Sequence, residues 1–271
     1  MATLRDRLWL WGHPEGLFNN NSFGNNTPSR MTPMEFCANY GLNRTFMVPC
    51  GREVNRRQYN KSFKALKEVV WDCYDAVNKP ELLERNIEEA KEFNNITGVI
   101  FDDMHRQGTF KDIPLQKLWD IKERLHNNEV KPLTMWMVIY TIEFGKKLNA
   151  YSPEMTAEFL KYIEPFDGVT MWSWEESTQT PYIPEKWEEL KALTPGKKRM
   201  FGCYLWNFGE SCPATGKWVK WQLDFFLEQI KKGDAEGIIL HTNTMADLDL
   251  EAYDVMEEWL KEHINDEVPE V

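Results

Sequence analysis

Two acidic residues, Asp102 and Asp103, directly follow a wholly apolar run, residues 98–101. No turn residue separates the run from the acids, so a strand that ends here would present both carboxyls at its end. One interpretation is that one Asp caps the next turn while the other is solvated. The other is that at least one points into an active site as a nucleophile, a general base or a metal ligand.

A second acidic pair, Glu175 and Glu176, follows two tryptophans, Trp172 and Trp174. A spacing of two residues puts both indoles on one face of a strand. If Thr170 faces the interior of the fold, then Glu176 shares that face, whereas a bulge at the strand end would bring in Glu175 instead. Both glutamates therefore remain candidates.

Eight apolar, β-prone runs must position these acids, and nearly all of them precede a helix-like segment. The runs cover residues 7–11, 45–50, 69–74, 98–101, 133–141, 168–174, 200–206 and 237–240. The clearest helical segments cover residues 80–93, 114–126, 153–163, 184–193, 217–232 and 250–264. Strands that alternate with helices imply parallel pairing, and eight such units in 271 residues predict an α/β fold, a single (β/α)8 TIM barrel domain over residues 1–271. A doubly wound open sheet is the main rival, but no Gly-rich phosphate turn follows the first run.

A closed parallel barrel places its active site at the carboxyl ends of the strands, which gives a list of binding candidates. Indoles suit the apolar faces of sugar rings, and the polar groups suit hydroxyls. The predicted substrate-binding residues are His13, Arg106, Tyr140, Trp172, Trp174, Trp206, Asn207 and His241.

The fourth and sixth strands are separated by one strand, so their backbones should lie roughly 10 Å apart. Side chains that converge on the barrel axis shorten this to about 5–9.5 Å, the separation of the carboxyl pairs of glycosidases. The estimate permits either a retaining or an inverting mechanism. The catalytic candidates are thus Asp102, Asp103, Glu175 and Glu176.

The composition excludes several classes of partner. A net charge of −11 argues against a nucleic-acid partner, because such proteins concentrate Lys and Arg on one face. No run approaches the length of a membrane span, so we expect no membrane partner.

The five cysteines, at irregular spacing, suggest buried thiols in a reducing compartment. We expect a cytoplasmic protein, although a secreted one without its signal peptide would look the same, and the sequence leaves the oligomeric state open.

The stretch Gly-Val-Ile-Phe-Asp-Asp-Met-His-Arg, residues 98–106, resembles the fourth-strand segment of (β/α)8 glycoside hydrolases. The resemblance implies an enzyme that cleaves a sugar or oligosaccharide substrate without a cofactor or metal. In relatives that use strands four and six, the fourth-strand acid is the nucleophile and the sixth-strand acid the proton donor. Many others use strand seven, and here that strand ends in Trp206-Asn207 with Glu210 just beyond.

Two other functions remain open at this point. A metal-dependent sugar isomerase or epimerase could draw its ligands from the following residues: Asp103, His105, Glu143, Glu175 and His241. A non-catalytic glycan-binding barrel could have kept the cleft without the chemistry. The long segment 14–32, rich in Asn and Gly, is either a lid over the site or a plain insertion.

Overall fold

The chain folds into a closed barrel of eight parallel strands. A computed structural model describes residues 2–104 and 106–270, apart from the side chains of residues 106 and 107. The strands are β1 (Leu8–Gly12), β2 (Arg44–Met47), β3 (Glu68–Asp72), β4 (Ile96–Phe101), β5 (Thr134–Tyr140), β6 (Gly168–Trp172), β7 (Lys198–Tyr204) and β8 (Gly237–His241). Each strand pairs with the next in the chain, and β8 pairs with β1, which closes the barrel. The predicted (β/α)8 fold is confirmed.

Helices form the outer layer of the barrel. They are α1 (Pro33–Tyr40), α2 (Arg56–Ser62), α3 (Pro80–Glu92), α4 (Leu115–His126), α5 (Pro153–Ile163), α6 (Ile183–Leu193), α7 (Gly216–Lys231) and α8 (Glu251–His263). The six helices from α3 to α8 lie where the sequence predicts them. The first two are shorter, and α1 begins after a capping box in which Thr32 and Glu35 exchange hydrogen bonds.

Aromatic side chains fill much of the barrel interior, from the amino ends of the strands to their carboxyl ends. The ring of Phe46 lies 4.8 Å from Trp9 and 5.9 Å from Trp136, and Trp11 lies 4.9 Å from Trp172 between ring centroids. Trp172 packs over β7 where Gly202 has no side chain, because a Cβ at that glycine would lie 2.0 Å from the indole. The strands therefore build an aromatic floor for whatever lies above them.

Two small antiparallel ladders complete the structure. Ala2–Thr3 pairs with Glu267–Val268 at the amino end of the barrel, and Trp206–Asn207 pairs with Cys212–Pro213 at the carboxyl end. None of the helices in the described parts of the chain is long and apolar enough to cross a membrane. Of the five thiols that the sequence predicts to be buried, Cys50 is exposed and Cys212 is half-buried.

Candidate functional site

A cavity of about 450 Å³ opens at the carboxyl ends of the strands. This is the face at which barrel enzymes carry their active sites, and the volume lies in the range of small-molecule sites. Seven of the predicted site residues line it: His13, Asp102, Asp103, Tyr140, Trp172, Trp174 and His241. The fold thus brings together residues from five strand ends and the loops beyond them.

The two aspartates after β4 lie at the partly exposed side of the cavity. The hydroxyl of Tyr140, at the end of β5, donates a hydrogen bond of 2.7 Å to Oδ1 of Asp103. Burial, together with the negative charge of Asp103, raises the pKa of Tyr140 well above its usual value, so the phenol keeps its proton and acts as a donor. Asp103 itself adopts a left-handed backbone conformation, with φ of 50°.

Asp72, at the end of β3, supports this pair from below. Its carboxylate accepts hydrogen bonds from the main-chain N–H groups of Tyr74, at 3.1 Å, and Asp102. Desolvation raises the pKa of Asp72 to about 6 despite these hydrogen bonds. The backbone that carries Asp102 is therefore tied to a carboxyl that gains a proton in mildly acidic solution.

A third carboxylate, Glu143, lines the cavity from the loop after β5 and is 3% exposed. One of its oxygens accepts the main-chain N–H of Tyr140 at 2.8 Å, and the other accepts the hydroxyl of Tyr151 at 3.1 Å. Both oxygens thus hold neighbouring parts of the cavity wall. Glu143 therefore joins the candidate site as a third acid.

Two buried histidines, His13 after β1 and His241 at the end of β8, meet at the closed side of the cavity. Burial lowers the pKa of His13 to about 4 and lowers that of His241 well below its usual value, so both rings are neutral near pH 7. Nδ1 of His13 lies 2.6 Å from the carbonyl oxygen of Val48, which can only accept, so Nδ1 carries the proton. Nε2 of His241 must then donate to Nε2 of His13, 3.2 Å away. Nδ1 of His241 is left buried and without a hydrogen-bond partner among the described residues.

Neither Glu175 nor Glu176 lines the cavity in the described structure. Strand β6 ends at Trp172, and a short helix, Glu176–Gln179, begins soon after it, so the alternation of a strand does not extend to the glutamates. Glu175 accepts a hydrogen bond from the hydroxyl of Thr178, and Glu176 accepts the N–H and the hydroxyl of Thr215, the residue that caps α7. Both glutamates therefore make hydrogen bonds to other parts of the chain and do not line the cavity.

Two other binding candidates also do not line the cavity. Trp206 is buried, and its Nε1 donates to the carbonyl of Phe23 at 3.0 Å. Asn207 is buried and donates to the carboxylate of Glu210. Of the remaining candidates, His105 and the side chain of Arg106 fall outside the described residues.

Several lining residues escaped the sequence analysis as site candidates. They come from the loops after β1, β5 and β7 and include Phe18, Phe23, Tyr151 and Phe208. Loop aromatics obey no strand or helix period, so the sequence offered no signal beyond the length of segment 14–32. The potential metal ligands do not converge either, since the described residues contain no group of three or more His, Cys, Asp or Glu that could hold an ion.

Solved structures with the same architecture include three glycoside hydrolases. A protein of Bacteroides thetaiotaomicron assigned as an α-L-fucosidase has a TM-score of 0.62 and 8% identity, with 97% of each chain covered. The endo-β-N-acetylglucosaminidase of Cordyceps militaris has a TM-score of 0.53 and 11% identity over 94% of this chain and 90% of its own. Xylanase A of P. fluorescens has a TM-score of 0.55 and 12% identity over 94% and 97%.

At this level of identity the similarity establishes a shared (β/α)8 fold. No protein-family model and no curated protein sequence matches the chain.

Proposed function

We propose that the protein hydrolyses a glycosidic bond in the cavity at the carboxyl face of the barrel. The observation that carries the proposal is the meeting of three carboxylates, Asp102, Asp103 and Glu143, with aromatic faces in one pocket. Sugar rings pack their apolar faces on such rings, and glycoside hydrolysis requires a pair of carboxyls. The shared fold with fucosidase-like, glucosaminidase and xylanase structures supports the same class of reaction.

Asp103 is the carboxylate that acts directly on the anomeric carbon or on the attacking water. Its Oδ1 accepts a hydrogen bond from the hydroxyl of Tyr140, which orients the carboxylate in the cavity. Its left-handed backbone is strained for a residue with a side chain, and strain of this kind concentrates at functional positions. In this role Asp103 either attacks the anomeric carbon or activates the water that does so.

The proton donor to the leaving group comes from the other two lining carboxyls, Asp102 and Glu143. Substrates with different leaving groups show experimentally which of the two residues is the proton donor. An activated aryl leaving group needs little protonation, so loss of the donor slows natural oligosaccharides much more than activated aryl glycosides. Asp102→Asn and Glu143→Gln therefore give different substrate profiles, and the residue with the leaving-group-dependent loss is the donor.

The first test is a hydrolysis screen over aryl α-L-fucosides, β-xylosides and β-N-acetylglucosaminides and over natural oligosaccharides, with and without a chelator. We expect chelator-resistant release of sugar and, for Asp103→Asn, a fall in kcat of about 10²- to 10⁴-fold while sugar binding is kept. Glu175→Gln and Glu176→Gln are matched controls, because they remove acids that lie outside the cavity and should keep activity.

Other outcomes would redirect the proposal. Full activity in Asp103→Asn would contradict the role of that residue, and loss of activity in either glutamate variant alone would restore the sixth-strand pair. Sugar binding without turnover over the whole panel would replace the hydrolase with a glycan-binding barrel. Activity that the chelator abolishes would indicate metal-dependent chemistry.

A further inference from the structure

Three phenylalanines close one side of the cavity. Phe18 and Phe23 come from the loop after β1, and Phe208 comes from the loop after β7. Their ring centroids lie 5.9 Å apart for Phe18 and Phe23, 5.2 Å for Phe18 and Phe208, and 5.1 Å for Phe23 and Phe208. The three rings are thus in mutual contact, and we call this group the phenylalanine wall.

The two loops are also joined through the main chain at Phe23 and Gly24. The indole N–H of Trp206 donates to the carbonyl of Phe23, and Gly24 lies against Ser211 so closely that a Cβ would come within 2.3 Å of the Ser211 carbonyl oxygen. Beneath the wall, the ring of His241 lies 4.8 Å from Phe208 and 6.3 Å from Phe18. Because β8 lies between β7 and β1, the wall covers this whole sector of the barrel.

The opposite side of the cavity is open. Asp102, Asp103, Tyr140 and Trp174 are all partly exposed there. In the phenylalanine wall, Phe18 and Phe208 are at most 8% exposed, and Phe23, at 38%, covers them from the solvent side. The rings of Tyr140 and Trp174 lie 6.4 Å apart and form the rim of the open side. The cavity therefore has a closed aromatic end, and the two aspartates lie toward its mouth.

We infer that the protein is an exo-acting glycosidase, which removes the terminal sugar at the non-reducing end of a glycan. This inference rests on the proposed hydrolase function. The terminal sugar occupies the closed end, against the phenylalanine wall and Trp172, and the rest of the glycan leaves over Tyr140 and Trp174. The interior of a longer chain cannot bind, because it would have to pass through the joined loops.

The reaction at this site balances as a simple hydrolysis. The bond between the anomeric carbon of the terminal sugar and the linking oxygen breaks. Water supplies a hydroxyl to that carbon and a proton to the departing oxygen. The products are one free monosaccharide and a glycan that is shorter by one residue.

Product analysis tests the inference directly. An oligosaccharide of the linkage found in the screen, fluorescently tagged at its reducing end, should lose one sugar at a time, with monosaccharide present from the earliest time point. The same chain with its non-reducing end chemically blocked should be resistant. Internal cleavage products at early times, or cleavage of the blocked chain, would overturn the inference.

The wall itself is tested with Phe23→Ala, which removes a ring that is 38% exposed and thus leaves the core intact. Loss of its ring contacts should weaken binding of the monosaccharide about 3- to 10-fold, while the joined loops still exclude internal cleavage. Trp119→Ala is the matched control, because it removes an equally exposed ring, at 37%, from α4 on the outside of the barrel. Equal effects of both variants would show that the wall has no special role.

A binding measurement separates this inference from the hydrolase proposal. Tryptophan fluorescence of Asp103→Asn, which needs no turnover, is titrated with the sugar found in the screen or, if none is released, with L-fucose, D-xylose and N-acetylglucosamine. If the cavity has a closed end, a monosaccharide should bind. A chain that is blocked at its terminal sugar should then bind at least tenfold more weakly. Equal binding of blocked and free chains, or no monosaccharide binding, would overturn the closed end even if hydrolysis is observed.

Discussion

Burial changes the pKa values of individual residues around the cavity, and in each case it favours the neutral form of the side chain. Desolvation removes the charge of His13 by lowering its pKa to about 4, and it removes the charge of Asp72 by raising its pKa to about 6. Near pH 5 both groups are therefore neutral in the folded protein. At this pH the surroundings of the cavity are thus poorer in charge than their composition suggests.

Asp72 should make the folded protein less stable as the pH rises from about 4 to 6. In this window the folded state holds the proton of Asp72, while the unfolded chain releases it near the ordinary value of 3.8, so the free energy of unfolding falls as the pH rises. The loss is at most about 3 kcal/mol, since one pKa unit is worth about 1.4 kcal/mol. In Asp72→Asn this loss disappears, so its stability relative to the wild type should increase between pH 4 and 6.

His13 contributes with the opposite sign. Its folded-state pKa lies below the ordinary value of 6.5, so its contribution to stability is lost as the pH falls from about 6.5 to 4. In the wild type this contribution opposes that of Asp72, and the buried His241, whose pKa is also lowered, has the same sign as His13. Urea unfolding of the wild type and Asp72→Asn at pH 4, 5 and 6.5 measures the difference, and parallel pH curves for the two proteins would refute the raised pKa.

At the level of elements, the sequence predicts the segments that obey a period and misses those that do not. The strands are recognisable because both faces of a parallel barrel strand are buried, and α5 has the predicted bounds because Ser152 caps a helix with Pro at its first position. The prediction for Glu175 and Glu176 extended a strand alternation beyond Trp172, where the last paired residue of β6 lies. Side chains beyond that residue are placed by tertiary contacts such as those of Thr215 with Glu176.

Loop residues could not be predicted for the same reason. The phenylalanine wall depends on the contact of two loops that are far apart in the sequence, and no local pattern encodes that contact. Segment 14–32 could be recognised as long, but its packing on the loop after β7 could not. The carboxylates after β4 were predictable because they come directly after a buried run, where the direction of the chain is fixed by the sheet.

The close packing of β6 on β7 gives an element-scale prediction. A Cβ at Gly202 would lie 2.0 Å from the ring of Trp172, which forms part of the cavity floor. Gly202→Ala must therefore displace the indole, and we expect a loss of about 1–3 kcal/mol in stability together with weaker sugar binding. Thermal unfolding and the fluorescence titration measure the two effects.

Gly196→Ala serves as a control for the stability loss alone. Gly196 has φ of +73°, and a Cβ at this residue would have no atom within 4 Å, so the substitution costs about 1–2 kcal/mol of backbone energy without a clash. Sugar binding should be unchanged in this variant. If Gly202→Ala binds sugar as the wild type does, Trp172 has no part in recognition.

The two ends of the whole molecule differ in chemistry. The carboxyl end holds the aromatic cavity, whereas the amino end holds a smaller cavity of about 200 Å³ that is lined by ion-paired side chains. There, Nε of Arg44 lies 2.7 Å from Glu68, and its guanidinium also pairs with Asp6 at 3.4 Å. In barrel enzymes the amino end serves stability and the carboxyl end serves function, and the distribution of groups in this protein agrees with that division.

Substitutions at the amino end should therefore change stability and leave recognition intact. Arg44→Met removes the cation that pairs with the partly buried carboxylates of Glu68 and Asp6, and we expect the free energy of unfolding to fall by about 1–3 kcal/mol. Lys67→Met is the control, because Lys67 pairs with the same Asp6 but its side chain is 57% exposed, and exposed pairs contribute at most about 1 kcal/mol. Sugar binding should stay at the wild-type level in both variants, whereas Asp103→Asn should lose turnover with little change in stability. A loss of sugar binding in folded Arg44→Met would show that the two ends are coupled through the barrel, because no side chain of the amino-end cavity also lines the carboxyl-end cavity among the described residues.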